Sequence, residues 1–220
     1  MAEQHPPLSV VVLISGNGSN LQAIFDAVAS GELHAEVHAV ISNRAGAYGL
    51  QRARRYGVRT EILDHRQFPT RERYDHALAE LIDAYTPDVV VLAGFMRILT
   101  PEFVRHYHAR MLNIHPSLLP RHRGLNTHAR VLQAGDTEHG VTIHFVTPDL
   151  DSGPIIAQAR FPVHPDDDEA SLEQRAHEKE HKLYPRVLGW FAQRRVRLDN
   201  DTVFLDGKPL DQTGFDVTDL

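Results

Sequence analysis

The sequence predicts an α/β protein with a doubly wound, mostly parallel sheet flanked by helices. Three observations predict it. Continuous apolar runs at 9–15 (SVVVLIS) and 88–95 (DVVVLAGF) suit strands buried on both faces, as in a parallel sheet. Segments with apolar residues at helical spacing stand between such runs. Gly31, Gly57 and Gly135 each stand just past one of those segments, where a helix closes in left-handed backbone.

The elements follow in order. After the strand at 9–15, residues 20–30 place Leu21, Ile24, Phe25 and Val28 on one helical face. A strand at 37–42, a helix at 48–56 and a strand at 59–63 repeat the pattern. Residues 70–85 read as a helix with Leu78, Leu81 and Ile82 inward, before the strand at 88–95. Thr100-Pro101 starts the next helix, because Thr caps and Pro fits the first turn. A strand at 111–115 and a helix at 127–134 come next. Strands are expected at 138–147 and 154–163. Residues 168–194 read as a long helical region that Pro185 should kink or split. Asp206-Gly207 marks a hairpin within 202–210, and the last residues are polar and expected to be loose.

The chain has 220 residues, 42% hydrophobic and 24% charged, with a net charge of −6. That composition supports a soluble globular domain and argues against a polyanion-binding surface. Arg121, His122 and Arg123, and Arg194, Arg195 and Arg197, read as solvated groups. The absence of cysteine removes disulfides, thiolate nucleophiles and Cys-based zinc sites. No leader pattern is read in the first residues, and no apolar run approaches the ~20 residues of a membrane span. A cytoplasmic protein is expected.

Asn113-Ile114-His115-Pro116 carries the most chemistry. Residues i and i+2 of a strand share a face, so Asn113 and His115 would project into one space. An Asn amide can donate to a developing oxyanion, and His can give or take a proton near neutral pH. Such a His calls for a carboxylate to orient it. The turn-rich loop 148–154 offers Asp149 and Asp151, and spacing does not choose between them.

Ligands of doubly wound sheets sit beyond the carboxyl ends of the strands, where the loops 15–20, 94–99 and 113–120 are expected. In the first of these, Ser15-Gly16-Asn17-Gly18-Ser19-Asn20, two glycines allow close backbone approach and a helix N-terminus favours an anion. The loop matches neither the dinucleotide fingerprint nor the P-loop, so a single phosphate suits it better; an ordinary Gly/Asn turn reads equally well. His177-Glu178-Lys179-Glu180-His181 also matches the H-E-x-x-H pattern of zinc hydrolases, with His177 and His181 as ligands. No third-ligand signature follows, and the flanks are charged as on an exposed helix.

Together, ISGNGSNLQAI (14–24), PDVVVLAGFMRIL (87–99), LNIHPSLLP (112–120), HGVTIHFV (139–146) and LDSGPII (150–156) resemble the folate-dependent formyltransferase family. The GNGSN loop points to the branch acting on phosphoribosylglycinamide. The resemblance implies a Rossmann-like fold, with a single domain at 8–200. Its phosphate-binding half would span about 8–108 and its folate half about 109–200, with a hairpin and loose tail at 201–220. It implies Asn113, His115 and Asp151 as the catalytic trio, and Gly18, Ser19, Asn20 and Glu180 as contacts of phosphoribosylglycinamide. Arg71, Met96, Arg97, Ile98, Leu99 and Asn113, with Thr147, Pro148, Asp149, Leu150 and Asp151, would line the site of 10-formyltetrahydrofolate, the co-substrate. No metal, nucleic acid or membrane is implied, only small-molecule substrates and a monomer or homodimer. Related alternatives are a formyltetrahydrofolate hydrolase or another formyltransferase; the tRNA-specific branch is disfavoured by the short, acidic chain. A zinc hydrolase through His177 and His181 is the alternative from another class.

Overall fold

The computed structural model describes residues 6–217. The extreme N-terminus, where no leader is expected, and the last three residues of the tail lie outside them.

An eight-stranded sheet forms the centre, in the order β11-β7-β6-β5-β4-β1-β2-β3. Its first half is wholly parallel: β1 (Leu8–Ile14), β2 (Ala35–Ser42), β3 (Arg59–Ile62), β4 (Val89–Leu92) and β5 (Met111–His115). β6 (Glu138–Phe145) then runs antiparallel to both β5 and β7 (Ile155–Pro162), which the apolar runs alone do not distinguish.

Helices cover both faces because the buried strands alternate between two cores. Val10, Val12 and Ile14 of β1 face one core with α1 (Ser19–Ser30), α2 (Tyr48–Arg55), α5 (Thr127–Ala134) and α6 (Glu169–Ala192). Val11 and Leu13 face the other, with α3 (Arg71–Asp83) and α4 (Pro101–His106). Thr70 and Thr100 cap α3 and α4 through their side chains, as the sequence indicates for Thr100.

Two expectations are corrected. α6 is one continuous helix with Pro185 inside it, so it does not split. Losing a backbone donor there costs about 3 kcal/mol. The capping box of Asp168 and Ser171 and a buried stripe including Leu172, Ala176, Leu183, Val187 and Leu188 offset that cost. The segment expected as a loose tail adds β11 (Phe215–Asp216) to the edge of the main sheet beside β7. The hairpin at Asp206-Gly207 forms between β9 (Thr202–Leu205) and β10 (Lys208–Pro209), and both turn residues have positive φ. β8 (Val196–Asp199), which the sequence reading missed, completes a small three-stranded sheet.

Candidate active site

The chain's winding reverses between β1 and β4, so the loops beyond β1, β4 and β5 meet at one end of the sheet. Ser15 ties the first two together. Its N–H donates to Gly94 O at 3.1 Å, and its hydroxyl accepts from Met96 N–H at 2.8 Å. The same hydroxyl donates to Asn43 Oδ1 at 2.6 Å.

The Gly-rich loop opens α1 without a side-chain cap, leaving the helix terminus to an outside anion. Gly18 takes φ 74°, and a Cβ there would stand 2.8 Å from Gly49 Cα. Gly49 N–H donates to Gly16 O at 3.1 Å. Arg52 braces the loop from the side, donating from Nε to Asn17 O at 3.0 Å and from Nη2 to Asn17 Oδ1 at 2.7 Å. The Asn20 side chain turns inward, and its amide donates to Glu180 Oε2 at 2.8 Å. Glu180 is buried, which raises its carboxyl above the usual range. Asn20 Oδ1 is buried without a hydrogen-bond partner.

β5 and β6 bring the catalytic candidates together. His115 is buried, with Nδ1 3.5 Å from Asp151 Oδ2 and Nε2 3.0 Å from His122 O. Asp151 Oδ2 also accepts from Gly124 N–H at 2.9 Å. The structure thus separates the two acids: Asp151 is enclosed beside His115, whereas Asp149 is exposed. Gly153 lets this loop return, since a Cβ there would run into Phe145 O. Asn113 lies opposite His144 in the register, and Asn113 Nδ2 is 3.2 Å from His144 Nε2. Sequence reading quoted His144 without giving it a role. Its signal was the same i, i+2 spacing, Thr142 and His144, on the strand that pairs with β5.

The other predicted residues differ in exposure. Met96, Ile98 and Leu150 are exposed apolar side chains. Arg97 lies over the Tyr74 ring at 5.4 Å, and Arg71 begins α3. Both guanidiniums counter the upward shift that burial imposes on Asp75, which accepts from Thr100 N–H at 2.6 Å. The Leu99 side chain packs in the core under α3 and α4. Thr147 and Ser152 form turn bonds to Asp149 O and Leu150 O, and Pro148 is exposed.

His177 and His181 stack with ring centroids 6.0 Å apart. Among the described residues no group of three or more His, Asp or Glu stands together as metal ligands would. A groove of about 1000 Å³ between α1 and α6 includes Ser19, Arg52 and His181 but neither Asn113 nor His115. No helix among the described residues is long and apolar enough to cross a membrane.

On a doubly wound sheet, His115 thus stands against a carboxylate, two residues after Asn113 on β5, and α1 begins without a side-chain cap. The sequence profile of the formyl transferase family matches residues 8–188, and the chain belongs to that family. Within it, the chain is 52% identical to the phosphoribosylglycinamide formyltransferase of Escherichia coli, over 94% of this chain and 98% of the relative. The solved phosphoribosylglycinamide formyltransferase of Coxiella burnetii superposes with a TM-score of 0.93 at 55% identity, covering 96% of this chain and 99% of that one. A formyltetrahydrofolate deformylase from Burkholderia mallei superposes with a TM-score of 0.82 at 26% identity, covering 90% of this chain and 70% of that one.

Proposed function

We propose that this protein transfers the formyl group of 10-formyltetrahydrofolate to the primary amine of 5′-phosphoribosylglycinamide, in purine biosynthesis. The observation that carries the reading is the enclosed pairing of His115 with Asp151, with Asn113 two residues before His115 on β5 and the start of α1 uncapped. High identity to relatives named for this reaction, over nearly their whole length, supports it.

In this reading the amine attacks the formyl carbon and gives a tetrahedral oxyanion. Asn113 and His115 donate hydrogen bonds to it; one such donor is typically worth about 3–4 kcal/mol. Asp151 orients His115 from 3.5 Å. In the structure His115 Nε2 faces His122 O, so the formyl oxygen takes over the place of that carbonyl. The amine then loses a proton, the bond from the formyl carbon to the folate nitrogen breaks, and that nitrogen is protonated. His115 or water carries the proton. No covalent enzyme intermediate is needed.

Gly18, Ser19 and Asn20 receive the substrate phosphate on backbone N–H groups. Asn20 also holds Glu180, which meets the glycinamide end. Arg71, Met96, Arg97, Ile98 and Leu99 with the 147–151 loop form the folate side. The protein acts in the cytoplasm on small molecules, as a monomer or homodimer, within one formyltransferase domain.

The test is to supply both substrates and follow N-formyl product and formate separately. Formyl product in step with folate consumption supports the transferase. Formate release without formyl product would replace it with the deformylase reading.

A further inference from the structure

His144 is buried at 2% exposure on β6, directly opposite Asn113. Its Nδ1 lies 2.9 Å from the carbonyl oxygen of Phe145. A carbonyl only accepts, so Nδ1 carries the hydrogen of the neutral ring. Nε2 therefore presents a lone pair, and the atom of Asn113 facing it at 3.2 Å must be the amide nitrogen. The neutral state suits the site: burial lowers the His144 pKa to about 4, although Asp151 Oδ1 lies 3.9 Å from Nε2.

We propose that His144 is a positioning residue that fixes the side-chain amide of Asn113 in one orientation. The Phe145 carbonyl sets the tautomer of His144, and that tautomer accepts only from the amide nitrogen of Asn113. One N–H of Asn113 is then spent on His144, and the other is held for the reacting formyl oxygen. Without the acceptor at His144, the Asn113 amide is able to turn over and present its oxygen, which repels an oxyanion. The neutral ring does a second thing: offering no N–H to Asp151, it leaves His115, among the described residues, as the imidazole donor paired with that carboxylate. The role given to Asn113 rests on the formyl-transfer reading above.

A double-variant cycle tests it. His144→Phe keeps a planar ring and removes the acceptor. Turnover is expected to fall about 10²-fold, the range for losing one oxyanion donor, with the KM of both substrates within a few-fold. Asn113→Ala with His144→Phe is expected to lose no more than Asn113→Ala alone, because His144 acts through Asn113. His144→Gln, which retains an acceptor oxygen, should recover part of the turnover. It also serves as the test variant should His144→Phe not fold, with the same lack of further loss when combined with Asn113→Ala. Turnover near wild type in a folded His144→Phe, or losses that simply add in the double variant, would overturn the proposal. Absence of formyl transfer by the wild-type protein would instead defeat the functional reading. The side-chain amide signals of Asn113 then decide the positioning claim alone: a hydrogen-bonded amide proton lost in His144→Phe and kept in His144→Gln supports it, and an unchanged pair in His144→Phe overturns it.

Discussion

The carboxylate of Asp151 stands 3.5 Å from Nδ1 of His115, and both side chains are almost wholly enclosed. Asp151 reaches that place in left-handed backbone, φ 48°, which costs a residue with a Cβ about 1–2 kcal/mol. The bond from Gly124 N–H and the close return at Gly153 hold it there. Asp151→Asn preserves the shape and removes the charge. Turnover should fall on the order of 10²–10⁴-fold while folate affinity changes little. Steady-state kinetics check both, and turnover near wild type would deny Asp151 its role.

Gly18 should not tolerate a side chain. Its φ is 74°, and an added Cβ would stand 2.8 Å from Gly49 Cα, which is backbone and cannot swing away. Gly18→Ala should cost about 1–2 kcal/mol in strain and push α2 from the start of α1. The KM for phosphoribosylglycinamide should rise at least about tenfold, with that for folate unchanged. The same substrate without its phosphate should be handled alike by variant and wild type.

Asn20 and Glu180 should behave as a unit. Asn20→Ala removes the donor that holds the buried Glu180 carboxylate, at a cost of about 1–3 kcal/mol. Thermal stability should drop, and KM for phosphoribosylglycinamide should rise more than for Ser19→Ala. Equal effects of the two substitutions on KM, with no loss of stability, would mean that Asn20 serves the phosphate alone.

Stability should decline as pH falls from about 6.5 toward 4. Burial lowers the pKa of both His139 and His144 to about 4, whereas an unfolded chain takes up those protons near pH 6.5. The unfolded state thus binds more protons in this window, and stability rises with pH across it. The limit is on the order of 3 kcal/mol for each group. Glu180 acts in the opposite sense, because its raised pKa favours the fold below the ordinary carboxylate range. Urea titrations at several pH values check the balance. His139→Phe, which can keep the contact of the ring with Phe161, should flatten the slope.

Much of this was legible in the residues. The SVVVLI and VVVL runs identify central strands because both faces are buried, and the i, i+2 spacing of Asn113 and His115 places them on one face. Spacing does not choose between Asp151 and Asp149, which stand in one turn; the family resemblance implies Asp151, and the packing encloses that residue beside His115. The antiparallel turn of β6 and β7 was not visible, because a strand buried on both faces loses its alternation in either direction. Of the kink or split expected at Pro185, the split does not occur, because a local rule meets a long buried helical face. His144 and Arg52 escaped notice because their partners, Asn113 and Asn17, are distant in sequence.

The most direct measurement of the central claim is formyl transfer from 10-formyltetrahydrofolate to phosphoribosylglycinamide, with and without a metal chelator, in wild type and His115→Ala. The account predicts chelator-resistant transfer that falls by orders of magnitude in the variant. Near-normal transfer by His115→Ala, or transfer abolished by the chelator and restored by added metal, would contradict it.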